Sequence, residues 1–429
     1  MKVAFYTLGC KVNSYETEAS IESFFAKGFE IVDFEDFSDI YIINTCMVTN
    51  MGERKSKKII RRPYAINKEA IVIVMGCLSQ LKAEEILAID GVKIVLGTTN
   101  RDKILDYLNE YLEFKQILNK VEVLKNDEKF DNLFISDFKG HQRAFLKIQD
   151  GCNNFCSYCI IPYTRGRIRS KAKDIVLKEA KQLVESGHIE IVLTGIHTGG
   201  YGEDLEDYSF AQLLKDLETV EGLKRVRISS IEITELTDEV IEIIKNSKII
   251  VNHIHIPLQG GNDKILKAMN RKYTTKEYKN FINKLRDNIK DLAVTTDIIV
   301  GFPGETDEDF LDAVQFIKEI NFQELHVFPF SRRAGTVADK LNGQVNGVIK
   351  KARVHDLLEL SEQLKKEHIQ KQLNRLHLVI PEQMKDGLLQ GHTRDYIKVC
   401  FKGDESLIGQ EIPVMIKYIG ENCNLAEMI

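Results

Sequence analysis

Short apolar runs alternate with amphipathic stretches of helical length along most of the chain. Residues 2–8, 40–43, 71–75 and 92–95 read as strands, with helical stretches such as 16–27 and 52–62 between them. Alternating β and α units imply an open parallel sheet with helices on both faces. A second series begins near His141, with strands at 144–148, 190–194, 225–229, 253–257, 293–300 and 322–328 and helices such as 174–186 and 305–320. Six such units are too few for a closed eight-stranded barrel, so a partial (βα)6 barrel is expected, with its site at the carboxyl ends of the strands. A helix over 352–373 follows. Short runs at 376–380, 388–393, 397–401 and 411–418, separated by Gly-containing turns, then predict a small β-barrel. Residues 118–139 are polar and aperiodic, with Asn126, Asp127, Glu128, Lys129 and Asp131, and read as a connection. The expected fold class is α/β: an N-terminal open parallel domain over 1–120, a linker over 121–139, the partial barrel over 140–369 and the small β-barrel over 370–429.

Composition changes this picture little. A chain of 429 residues, 43% hydrophobic and 29% charged, is globular and built of several domains. Its net charge of −5 offers no global attraction to nucleic acid, so any polyanion site has to be local. Two basic stretches stand out. Residues 53–62 (ERKSKKIIRR) hold six Lys or Arg, and residues 139–173 hold eight against the single Asp150, including Arg165, Arg167 and Arg169. Each reads either as a solvated helix face or as a docking surface beside a cysteine cluster. There is no apolar run of membrane-spanning length and no leader-like start, so a cytoplasmic protein without a membrane partner is expected.

Chemistry enters with the cysteines. Eight of them in such a chain read as metal ligands or buried thiols rather than disulfides. Cys152, Cys156 and Cys159 form a C-x3-C-x2-C loop after the strand at 144–148. Three thiolates on one short loop can converge on a soft metal centre. Structural zinc takes four protein ligands, which the loop lacks, whereas a four-iron cluster with one iron left open fits. Buried free cysteines, or zinc completed by a distant ligand, are the alternatives. Cys10, Cys46 and Cys77 each follow a strand of the first domain, where ligands bind in open α/β sheets. They read either as a second cluster site or as small buried residues in tight turns. Cys400 and Cys423, in the β-rich tail, are expected to be bystanders.

At the Cys152/Cys156/Cys159 loop the chain resembles the radical S-adenosylmethionine (SAM) superfamily, whose signature is this triplet after the first strand of a partial barrel. The resemblance implies that SAM binds the open iron through its amino and carboxylate groups and is cleaved reductively to a 5′-deoxyadenosyl radical. Polar or Gly-rich strand ends are then candidate SAM contacts: Gly195, Gly199, Ser230, Glu232, Gln259, Gly301 and Gly304, with Tyr158 in the loop itself.

Over nearly its whole length the chain is similar to the methylthiotransferases, which carry three scattered N-terminal cysteines and a C-terminal TRAM domain. That likeness implies an auxiliary cluster on Cys10, Cys46 and Cys77, hence two 4Fe–4S clusters, a TRAM-like C-terminal barrel, and SAM as both methyl donor and radical source. The stretch from Thr7 to Thr17 (TLGCKVNSYET), with Asn44–Thr49, Arg54-Lys-Ser56 and Arg61-Arg62, resembles the branch acting on N6-threonylcarbamoyladenosine beside the tRNA anticodon. The expected reaction is methylthiolation at C2 of that adenine. C2–H is not acidic, which makes a carbon radical a reasonable route. Partners are then a tRNA anticodon stem-loop, an external electron donor and a sulfur source. Met47 and Gly260 stand where the family pattern suggests smaller polar residues. The alternatives are the same chemistry on isopentenyladenosine or a ribosomal protein, and a non-catalytic iron–sulfur RNA-binding protein. Residues 370–429 hold seven Lys or Arg against eight Asp or Glu, so RNA binding there needs a local patch, with Arg394, Lys398 and Lys402 as candidates.

Overall fold

The computed structural model describes residues 1–126 and 128–429; Asp127, in the polar connection, lies outside them. Six parallel strands form the first sheet: β1 (Lys2–Thr7), β2 (Glu30–Val32), β3 (Ile40–Thr45), β4 (Ile71–Gly76), β5 (Val92–Leu96) and β6 (Leu118–Lys120), in the order β2-β1-β3-β4-β5-β6. β3 and β4 are buried along their whole length, as central strands covered on both faces are. The edge strands β2 and β6 have three residues each, too few to leave an apolar run, and the hydrophobic pattern does not predict them.

The polar connection is not a solvated linker. Leu133, Ile135 and Phe138 are buried in the core of the central domain. Leu133 and Ile135 alternate with less buried neighbours, a two-position signal too short to read against the charged residues before it.

The central domain contains β7 (Arg143–Lys147), β8 (Gln149–Asp150), β9 (Arg169–Ser170), β10 (Glu190–Thr194), β11 (Arg225–Ile228), β12 (His253–His255), β13 (Ala293–Val300) and β14 (Glu324–Pro329). β7 and β10–β14 run parallel in chain order as two three-stranded sheets. A bridge between Val226 and Ile250 and the Ile231 N–H donating to the His255 carbonyl (3.1 Å) join the two. The helix Gly347–Gln372 packs Leu357, Leu360 and Leu364 into this core. It starts earlier than its apolar spacing suggests because Asn346 caps it, accepting from the Val348 N–H (2.8 Å).

The C-terminal residues close into a five-stranded barrel: β15 (Leu376–Lys385), β16 (Leu388–Thr393), β17 (Lys398–Phe401), β18 (Ile412–Tyr418) and β19 (Asn424–Met428). β19 completes the ring and is absent from the sequence pattern. Arg225 on β11 donates to Glu411 (2.7 Å) and to the Leu378 carbonyl (2.7 Å), docking the barrel on the central domain. Arg394 donates back to the carbonyls of Lys248 (2.9 Å) and Ile250 (3.1 Å). Arg394 is therefore spent on domain docking, while Lys398 and Lys402 stay exposed. Among the described residues no helix is long and apolar enough to cross a membrane.

Candidate active site

β1, β3 and β4 are neighbours in the first sheet, and Cys10, Cys46 and Cys77 lie just past their carboxyl ends. Adjacent strands run about 4.8 Å apart, so the topology alone sets the three thiols side by side. Gly76, with φ +103°, makes the turn into Cys77; a Cβ there would lie 2.5 Å from Asn44 Oδ1 and 2.6 Å from the Thr45 carbonyl. Asn13 ties the strand ends together, donating to the carbonyls of Leu8 (2.7 Å) and Thr45 (3.1 Å). Burial pushes the Cys46 thiol up to about 11, while Cys10 is exposed to solvent. Such thiols give up their protons when a metal centre supplies the compensating charge.

The second triplet sits on a loop closed at its base by β8 pairing with β9. Gly151 begins it at φ +75°, where a Cβ would lie 1.9 Å from the Arg167 carbonyl. The loop is pinned to the turn after the helix Asp263–Ala268. Ser157 donates to the carbonyls of Met269 (3.0 Å) and Ala268 (2.8 Å), and Asn270 donates to that of Phe155 (3.0 Å). Burial pushes both Cys152 and Cys159 up to about 12. The three cysteines face a cleft whose lining includes Tyr158, Ser230, Glu232 and Gln259. Arg271, absent from the sequence expectations, ion-pairs Glu232 there and donates to Cys156 Sγ (3.4 Å).

The donor set suits a 4Fe–4S cluster with an open iron. Three sulfurs are offered, and the one histidine in the lining, His197, is already paired with Glu235 and with Asn154 (3.1 Å). Among the described residues the only trio with ligand atoms within 4.8 Å of one another is His255, Asp297 and His326, so neither cysteine triplet is drawn together for a single ion.

The four glycines expected at SAM do not line this cleft. A Cβ on Gly195 would lie 2.9 Å from Gln149 Oε1, one on Gly199 2.2 Å from Glu235 Oε2, and one on Gly301 2.1 Å from Lys350 Cγ. Gly304 meets nothing and serves a turn at φ +84°. Met47 is a core residue of the first domain, and a Cβ on Gly260 would press on Ile265 at 3.1 Å.

Between the two triplets lies a buried ionic cluster. Glu16, from the helix Lys11–Ala26, meets Arg101, Lys147 (2.8 Å) and Arg165 (2.8 Å). Asp150 meets Arg101 (3.2 Å), Lys147 (2.6 Å), Arg165 (3.0 Å) and Arg169 (3.5 Å). Asp131 completes it on Arg101 (2.7 Å). Burial alone would raise the Glu16 carboxyl, but Arg101, Arg165 and Lys147 outweigh it and hold the group well below its usual range. Arg165 also donates from Nε to Cys77 Sγ (3.3 Å) and from Nη2 to Asn13 Oδ1 (2.8 Å). The basic run at 139–173 is thus neither a solvated face nor mainly a docking surface. Lys147, Arg165, Arg169 and Lys171 are buried, and only Arg167 of its three named arginines is exposed.

Residues 146–317 match the radical SAM superfamily, and residues 2–97 match uncharacterized protein family UPF0004. A Bacillus subtilis (strain 168) protein, threonylcarbamoyladenosine tRNA methylthiotransferase MtaB, is 49% identical over 100% of this chain and 96% of its own length. The chain belongs to the radical-SAM methylthiotransferase family. The Aquifex aeolicus (strain VF5) threonylcarbamoyladenosine tRNA methylthiotransferase MtaB shares 37% identity with this methylthiotransferase, over 97% of it and 100% of its own chain. A tRNA-2-methylthio-N(6)-dimethylallyladenosine synthase of Thermoanaerobacter pseudethanolicus (strain ATCC 33223 / 39E) shares 36%, over 96% and 89%. Among solved structures, the radical S-adenosylmethionine methyltransferase TsrM of Kitasatospora setae shares the fold, with a TM-score of 0.58 at 14% identity over 79% of this chain and 76% of its own.

Proposed function

We propose that this methylthiotransferase inserts a methylthio group at C2 of N6-threonylcarbamoyladenosine next to the tRNA anticodon. The observation that carries the reading is that the two cysteine triplets share one wall: Arg165 touches Cys77 and also Asp150, two residues before Cys152. Identity of 49% to a threonylcarbamoyladenosine enzyme against 36% to a dimethylallyladenosine enzyme favours the first branch.

Two 4Fe–4S clusters and SAM, when bound, would supply the radical that activates C2, a place for the externally supplied sulfur, and the methyl group that is added. Cys152, Cys156 and Cys159 would hold one cluster, and Cys10, Cys46 and Cys77 the other. Arg271 orients Glu232, and with Ser230, Gln259 and Tyr158 these side chains offer SAM a polar wall. Tyr15 donates to Glu179 (2.5 Å) and accepts from Lys171 (2.7 Å), which holds the first domain against the central one and keeps bulk water from the junction. We read the C-terminal barrel as a TRAM domain presenting Lys398 and Lys402 to RNA, the electron donor and sulfur source as external partners, and the cytoplasm as the compartment where tRNA is met.

Anaerobically reconstituted protein given SAM, reductant, a sulfur source and tRNA carrying threonylcarbamoyladenosine should yield its 2-methylthio nucleoside by mass spectrometry. Modification of isopentenyladenosine tRNA instead would refute the assignment.

A further inference from the structure

A second cavity adjoins the cysteine-loop cleft and shares Ser230 and Asp297 with it. Its walls come from all three domains: Lys11 beside Cys10, strands β11–β14 of the central domain, and Tyr396 of the C-terminal barrel. The cavity measures about 270 Å³, room for roughly nine waters at ~30 Å³ each. The His255, Asp297 and His326 trio lies in its wall, and the space in front of that trio exceeds what a single ion fills.

The lining side chains are mostly polar, and their carbon atoms with Ile228 and the Tyr396 ring still make up about half of the exposed wall. Its two carboxylates are already satisfied. Asp297 Oδ1 lies between His255 Nε2 (3.2 Å) and His326 Nδ1 (3.3 Å), and Glu324 pairs with Lys365 (3.0 Å). Arg227 is held by Glu190 (3.0 Å) and by the carbonyls of Arg394 (3.2 Å) and Thr393 (3.4 Å). Lys11 is different. Its charged or titratable neighbours include Tyr396, Arg143, Arg227, Cys10, His253 and His326, and among the described residues no carboxylate comes within ion-pair distance. His253, 7% exposed, adds a buried Nδ1 with no hydrogen-bond partner. Lys11 is exposed to solvent, and a cation free of a counter-ion there, next to other cations and a buried polar atom without a partner, offers a receptor for a small anionic group.

We propose that this cavity seats the carboxylate-bearing N6 substituent of the target adenine, with Lys11 as the cation that reads the carboxylate. The inference rests on the threonylcarbamoyladenosine reading and supplies its specificity device. C2 and N6 lie on the same edge of adenine, so a base presenting C2 between the two cysteine sites projects its N6 substituent into a space bordering both. A flipped base enters edge first while its phosphates stay at the rim, which leaves the substituent carboxylate as the anion that reaches Lys11. An isopentenyl group would leave the same polar walls unpaired.

The test compares two anticodon stem-loops, one with the free threonylcarbamoyl acid and one with its methyl ester. Dissociation constants and initial rates are measured on the reconstituted holoenzyme. Wild type should prefer the acid by about 10- to 100-fold, the range of a charge-assisted hydrogen bond. Lys11→Gln should lose that preference by weakening on the acid while staying near wild type on the ester, and Lys11→Arg should restore it. Equal affinity of the wild type for acid and ester would overturn the assignment. So would Lys11→Gln weakening both RNAs equally, the result expected if Lys11 met a backbone phosphate or if the variant damaged the cysteine site. A wild type that bound and modified neither RNA but accepted the isopentenyladenosine stem-loop would overturn the functional reading itself.

Discussion

Replacing Glu16 with glutamine keeps the shape of the side chain and removes one charge from the buried cluster at the domain junction. In the wild type Arg101, Lys147, Arg165 and Arg169 face Glu16, Asp150 and Asp131, four cations against three carboxylates. The sulfur of Cys77 lies 3.3 Å from Arg165 Nε, so a metal-bound thiolate there would bring the two sides level. Glu16→Gln leaves four cations against two carboxylates in a site without water access. Removing one partner of a buried ion pair costs about 3–5 kcal/mol, because the remaining charges stay desolvated and unpaired. Urea unfolding followed by far-UV circular dichroism measures the loss, with Glu239→Gln, whose pairing with Lys215 is solvent-exposed, as a control expected to barely shift the curve. The pH dependence has a fixed sign. The folded carboxyl is held below its ordinary value of 4.5, so its contribution is complete above about pH 4.5 and lost as the pH falls further. The two curves should therefore converge in acid. A loss below about 1 kcal/mol at neutral pH, or a gap that widened in acid, would refute the reasoning.

The basic helix Asn50–Ile60 offers fewer free charges than its sequence suggests, since Lys57 pairs with Glu53 (3.0 Å) and Glu85 (2.8 Å) and Arg62 beyond it pairs with Glu35. Replacing the exposed Arg54, Lys55, Lys58 and Arg61 by Gln should weaken tRNA binding and lower the salt slope by up to about 3, and an unchanged slope would make the helix a solvated face. Reconstituted protein should approach about eight irons per chain, a content that Cys423→Ser leaves intact; four irons would refute two clusters. Cys156→Ala should abolish both 5′-deoxyadenosine and methylthiolated product, whereas Cys46→Ala should lose the product alone, both read by chromatography and mass in one reaction.

The elements legible in the sequence are those whose signal is local. Apolar runs marked the central strands, and the cysteines could be placed at strand ends without knowing the strand order. The order β1-β3-β4, which makes three scattered thiols neighbours, follows from sheet topology and leaves no local trace. Three-residue edge strands and β19 were illegible because neighbouring strands and the barrel closure hold them, not their own apolar content. The charges were hardest to read. Whether Arg165 meets solvent, RNA or a carboxylate depends on Glu16, 149 positions earlier in the chain.

This bears on the stretch Thr7–Thr17, which resembles the threonylcarbamoyladenosine branch of the family. Asn13 donates to the Leu8 and Thr45 carbonyls and accepts from Arg165, Tyr15 engages Glu179 and Lys171, and Glu16 anchors the ionic cluster. These side chains hold the first domain to the central one. Lys11, by contrast, lines the second cavity. A motif that reads as a mark of substrate choice is thus mostly a device for docking two domains. On that division, Lys11→Gln should change which base is accepted with little change in stability, whereas Glu16→Gln should change stability without altering the preference for acid over ester.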